Sequence, residues 1–171
     1  HGADPDEGGR DDRRTPLMQA CYIGAEEAAL SLIKANADLV RVDEFGWNAL
    51  RFAVESHSIH IVEEILTKKQ TLRMHTLNKL QLDETSSLVM LAIDSPQNGK
   101  DGALVRLLLR YSTHDINFVN GRGQTALMRA SMCRDPESIR ILLQNGACRD
   151  SVDQDNRTAM SHALIHSCTK V

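Results

Sequence analysis

Thr15-Pro-Leu-Met-Gln-Ala20, Asn48-Ala-Leu-Arg-Phe-Ala53, Ser87-Leu-Val-Met-Leu-Ala92, Thr125-Ala-Leu-Met-Arg-Ala130 and Thr158-Ala-Met-Ser-His-Ala163 are five versions of one hexapeptide. Their last alanines stand 33, 39, 38 and 33 residues apart. A recurrence at a period of about 20 to 50 residues marks a stacked repeat, in which each unit is one supersecondary element. Two spacings of 33 and two longer ones read as one unit with insertions. Loops lengthen at small entropic cost, whereas packed helices do not.

Each hexapeptide opens on Thr, Asn or Ser, whose side-chain oxygen can accept from a free N–H of a first helical turn. Pro16 follows its cap at the position where a missing N–H costs nothing. The apolar residue two places after the cap and the alanine five places after it share one helical face, the alanine letting a neighbouring helix approach closely. A second apolar cluster follows each of the first four alanines: Leu30, Leu32 and Ile33; Ile61, Val62, Ile65 and Leu66; Leu104, Val105, Leu107, Leu108 and Leu109; Ile139, Ile141, Leu142 and Leu143. These predict second helices. Asn36-Ala-Asp38, His114-Asp-Ile-Asn117 and Asn145-Gly-Ala147 then supply turn residues. Each unit therefore reads as helix, turn, helix and an extended turn into the next cap.

These residues resemble the ankyrin-repeat family. Thr15-Pro-Leu17 matches its T-P-L opening, Gly24 its turn glycine, Asp43-Glu-Phe-Gly46 the D-x-x-G of its β-hairpin, and His1-Gly-Ala-Asp4 and Asn145-Gly-Ala147 its G-A-D ending. The resemblance covers nearly the whole chain and implies an all-α solenoid of stacked helix-turn-helix units joined by short β-hairpin connections. In that register residues 1–9 are the tail of a preceding repeat or an N-terminal extension. Four repeats run over 10–42, 43–81, 82–119 and 120–152, and 153–171 is a partial fifth. The extra residues of the second unit are expected as a trailing loop from Thr67 to Thr85, and those of the third between its helices at Ser95 to Gly102. The family's histidine after T-P-L is replaced by Met18, Arg51, Met90, Met128 and Ser161. Its usual hydrogen bond to the cap is accordingly expected to be missing throughout.

The resemblance implies a partner-binding concave face made of hairpin tips and the exposed side of the first helices. The candidates there are Tyr22, Ile23, Phe45, Trp47, Arg51, Glu55, Arg122, Gln124, Arg129 and Met132, with Arg14 and Arg157 on the hairpins and Asp94 and Cys133 beside them. Tyr, Trp, Arg and Met concentrate binding energy at interfaces. Trp47 can meet a ligand or pack on a neighbouring hairpin. Arg51 can stack on it, although pairing with Glu55 at i+4 is the plainer expectation.

Composition narrows the function further. The 171 residues are 42% hydrophobic and 25% charged, with a net charge of −3. That is a globular mixture with no strong field toward nucleic acid or an anionic membrane. The longest largely apolar stretch, Ala103 to Leu109, falls far short of the ~20 residues that span a bilayer. Cys21, Cys133, Cys148 and Cys168 show no C-x-x-C spacing and read as reduced thiols of a cytoplasmic or nuclear protein. Gly121-Arg-Gly123 belongs to a hairpin rather than a phosphate loop. His57 and His60 with Glu63 or Glu64 lack the further ligand of a metal set, and Cys133 lacks a histidine base. The expectation is therefore a protein-binding module, not an enzyme, with neither metal nor cofactor. Its partner is another protein or a peptide segment, and the chain is read as part of a longer one. A regulatory or tethering segment within a larger enzyme or channel, or a structural spacer, is the alternative.

Overall fold

The computed structural model describes residues 6, 13–71, 88–95, 102–111 and 115–168. The expectations placed on His1 to Asp4, on Ser87, on residues 72–85 and 96–101, and on His114 lie outside them. The chain divides into two compact units, His1–Leu82 and Asp83–Val171. No helix among the described residues is long and apolar enough to cross a membrane.

Unit 1 contains α1 (Pro16–Tyr22), α2 (Glu26–Lys34), α3 (Ala49–Glu55) and α4 (Ile59–Thr71). The caps form as their chemistry dictates: Thr15 Oγ1 accepts from Met18 N–H at 3.2 Å and Asn48 Oδ1 from Arg51 N–H at 3.0 Å. Gly24, at φ +69°, turns α1 into α2. The first helices α1 and α3 pack on each other, and so do the second helices α2 and α4. The core between them is Leu17, Cys21, Ile33, Leu50, Phe52, Val54, Ile61 and Ile65, each fully buried. Burying one such side chain contributes about 1.5–3 kcal/mol. The stretch after Leu66 departs from expectation. The loop expected from Thr67 begins as helix, because α4 continues to Thr71, where Lys68 donates to Ile33 O and Asn36 Oδ1 on the preceding repeat.

Unit 2 contains α5 (Leu88–Asp94), α6 (Ala103–Tyr111), α7 (Ala126–Cys133), α8 (Pro136–Gln144) and α9 (Ala159–Cys168). Here α7 is the central first helix, packed on α5 and α9, while α6 packs on α8. Leu104, Val105, Leu108, Leu127, Ile141 and Leu142 are buried. Thr125 and Thr158 cap α7 and α9, each accepting at 3.3 Å from the N–H three residues on.

The bond expected to be missing throughout is replaced in two repeats, both in unit 2. Ser161 Oγ lies 3.2 Å from Thr158 Oγ1, and the Met128 sulfur accepts from Thr125 N–H at 3.5 Å, closing a capping box. A shorter hydroxyl and a polarizable thioether each reach the cap from the histidine position.

Candidate partner-binding face

The connections between repeats share one local design. In unit 1, Asp43 Oδ1 accepts from the N–H groups of Phe45 and Trp47, both at 2.9 Å. Asp43 N–H donates to Trp47 O at 2.9 Å, and Gly46 N–H to Asp43 O at 3.1 Å. In unit 2, Asn120 Oδ1 serves Arg122 and Gln124, and Asp153 Oδ1 serves Asp155 and Arg157, at 2.9–3.0 Å. The fourth residue of each turn has positive φ: Gly46 at 78°, Gly123 at 74° and Asn156 at 56°. Asn156 stands where the other two turns have glycine, and asparagine tolerates that conformation better than most residues. These closed turns present whatever side chains lie at their tips.

In unit 1 they present aromatic rings. Phe45 is 62% exposed at its tip, and Tyr22 and Ile23 at the end of α1 are 51% and 64% exposed. Trp47 is half-buried between Phe45 and Phe52, its ring 5.7 Å from each. Phe52 is fully buried and meets Tyr22 edge-on at 5.9 Å. Two guanidinium groups lie against this ladder. Arg14 sits 4.8 Å over Phe52 and 5.4 Å over Tyr22 while Nε donates to Asp43 Oδ2 at 3.4 Å. Arg51 sits 4.3 Å over Trp47. The expected Arg51–Glu55 pair does not form. Stacking takes the guanidinium instead, and its Nε and Nη1 are buried with no hydrogen-bond partner. Glu55, half-buried, ends α3.

In unit 2 the four candidates separate. Arg122 is exposed at a hairpin tip, where its carbonyl accepts from Gln154 N–H at 3.2 Å and Gly121 O accepts from Gln154 Nε2 at 2.9 Å, joining neighbouring turns. Gln124 is not on the surface. It is 6% exposed, with Oε1 accepting from Asn120 Nδ2 at 3.3 Å and Nε2 lying 3.9 Å from the Met132 sulfur. Its place beside the cap turns a presumed contact residue into a turn brace. Arg129 is committed to Asp94 through Nη2 at 2.8 Å and Nε at 3.0 Å. Met132 is half-buried.

The feature that sequence reasoning passed over is that the position four places after the cap forms a column, in which Arg129, already a candidate, is joined by Phe52 and His162. His162 is buried and its Nε2 lies 2.7 Å from Asp153 Oδ2. Burial alone would raise the Asp153 pKa, but hydrogen bonds from Arg157 N–H, His162 and Asp155 N–H hold it below the usual carboxylate value. The column was hidden because it is the least uniform position of the hexapeptide, reading Gln, Phe, Leu, Arg and His along the chain. Cys133, 3.7 Å from Asp94 Oδ1, has its pKa raised by burial and by the Asp94 charge, the reverse of what an activated thiol needs. Among the described residues no three His, Cys, Asp or Glu side chains gather as a metal site.

Comparison with known proteins agrees with this architecture. The family model described as ankyrin repeats (3 copies) matches residues 1–75 and 89–171. Neurogenic locus notch homolog protein 1 of Mus musculus is 27% identical over 149 residues, 85% of this chain and 5% of that protein. Transient receptor potential cation channel subfamily A member 1 of Homo sapiens is 26% identical over 109 residues, 64% of this chain and 9% of that protein. The BTB/POZ domain and ankyrin repeat-containing protein NPR2 of Oryza sativa subsp. japonica is 29% identical over 109 residues, 64% of this chain and 15% of that protein. The chain thus spans a small part of the length of these relatives. With the five-fold hexapeptide, the capped helix pairs and the closed turns between them, the match establishes that this chain belongs to the ankyrin-repeat family.

Proposed function

We propose that the chain is a binding module that holds a segment of another protein against the turn tips and first helices, with unit 1 carrying the principal anchor. The observation behind this reading is the exposure of Tyr22, Ile23 and Phe45 around the half-buried Trp47. Large apolar side chains grouped at the surface mark interaction sites, and aromatic residues beside arginine are typical energetic anchors. In unit 2, Arg122 and Met132 form a separate, weaker contact, while Arg129 and Gln124 support it from behind. The binding reading also covers a tethering segment in a longer protein, a role in keeping with the small share that this chain makes up of relatives such as the cation channel.

Photo-crosslinking tests the face. A benzoylphenylalanine placed at Ile23 or Phe45 is expected to capture the same protein segment from cell extract, identified by mass spectrometry. The same group at His60, exposed on α4, is expected to capture nothing in common with them. Capture from His60 alone would move the binding surface to the second helices and defeat the reading.

A further inference from the structure

We infer that the partner segment carries an aspartate or glutamate carboxylate that docks at Arg51, beside an apolar side chain lying on Phe45 and Tyr22. This rests on the binding face proposed above and names the chemistry that the face reads.

The two guanidinium groups of the aromatic ladder differ in one respect. Arg14 is neutralised within the fold, since its Nε donates to the buried Asp43 carboxylate. Arg51 has no such partner: Nε and Nη1 are covered without an acceptor, no ion pair joins the half-buried side chain to Glu55 one turn on, and Nη2, which is not among the covered atoms, is the donor that a partner can reach. The Trp47 face attracts the positive charge but accepts no N–H hydrogen bond of ordinary strength. Covered guanidinium donors are costly to leave unmade, and a planar guanidinium matches a carboxylate better than any other side-chain acceptor. Trp47 is wedged between Phe45 and Phe52, so the Arg51 plane is set before a partner arrives, which lowers the entropic cost of binding. The same ladder disfavours a cationic ligand, because its faces already hold Arg14 and Arg51.

The probe is a phage-displayed library of random dodecapeptides selected on the full 171-residue chain. Clones are kept whose binding is lost on Phe45→Glu and retained on His60→Glu. Synthetic pairs with Glu or Gln at the preferred position are then titrated by fluorescence anisotropy. On the wild-type chain, Glu→Gln in the peptide is expected to weaken binding about 10-fold, and on Arg51→Met less than about 2-fold. Arg51→Lys, which keeps the charge but not the planar fork, is expected to leave a Glu-over-Gln preference between these two, about 3-fold. If Arg51→Met does not fold, as judged by circular dichroism, the peptide pair on the wild-type chain and Arg51→Lys decide the matter. Clones that pass the Phe45 filter without preferring an acid overturn the carboxylate contact and leave the binding face standing. A site that takes a phosphoserine peptide and ignores glutamate also overturns it. If no clone passes the filter, the face and this inference fall together.

Discussion

Phe52 shows how much one buried ring can organise. It has no exposed surface, yet Tyr22, Trp47 and the Arg14 guanidinium all rest on it, at 5.9, 5.7 and 4.8 Å. Phe52→Ala is expected to cost about 3–5 kcal/mol in denaturant unfolding, the usual range for emptying such a site. Any loss of peptide binding must then be judged against that destabilisation. Asp153 offers a pH-dependent case. Its pKa is lower in the folded chain than in the unfolded one, so its contribution is present above the unfolded value of about 3.9 and is lost as pH falls through the folded value. Thermal melts between pH 6 and pH 3 are expected to fall less steeply for Asp153→Asn than for wild type, from a lower starting stability. Equal slopes would show that the carboxylate carries no acid sensitivity. The thiols divide as well. Burial pushes the Cys21 pKa up to about 12, whereas exposed Cys148 is lowered by hydrogen bonds from the Ser151 side chain and the Asp150 and Ser151 backbone. Of these two, Cys148 is expected to be alkylated first by iodoacetamide at neutral pH, a preference readable by peptide mapping.

At the scale of the element, the first helices were legible because their signals are local. A cap, an apolar residue and an alanine within six positions suffice, and Thr15, Asn48, Thr125 and Thr158 accept the bonds their position requires. Thr125→Ala removes a buried cap and is expected to cost about 1 kcal/mol, measured by the midpoint of urea unfolding. Other features depend on contacts that spacing cannot reveal. The polar run Thr67-Lys-Lys-Gln-Thr71 has no apolar period to announce a helix, and α4 runs through it while Lys68 reaches back to Ile33 and Asn36. Gln124 looks like a hairpin tip residue until Asn120 and Met132 close around it. Arg14 and Phe52 are 38 positions apart, so only the packing of α1 on α3 unites them. Gly102 is a further case. It has φ +65°, and a β-carbon there would lie 2.4 Å from Ile141 Cδ1 and 2.9 Å from Glu137 Cγ. Gly102→Ala is therefore expected to destabilise by about 1–3 kcal/mol through backbone strain and overpacking, despite its place at the edge of an insertion.

For the whole molecule, the repeat architecture decides how such local losses spread. In a stack of this kind each repeat is stabilised by its immediate neighbours, so stability approximates a sum of repeat and interface contributions rather than one global quantity. Each unit here also closes a core of its own. Leu17, Ile33, Leu50, Phe52, Ile61 and Ile65 fill the first, and Leu104, Leu108, Leu127, Ile141 and Leu142 the second. Damage at Phe52 is therefore expected to remain near its source. In native-state hydrogen exchange followed by mass spectrometry, Phe52→Ala is expected to lower protection in α1 and α3 most, and in α2 and α4 next. Peptides from α7 and α8 are expected to keep wild-type protection. Uniform loss across the chain would instead mean that all the repeats open together. A ligand bound at Tyr22 and Phe45 is expected to raise protection in that same first set, because binding the native state stabilises the elements whose opening destroys the site. Protection gained only in α7 and α8 would place the ligand in unit 2.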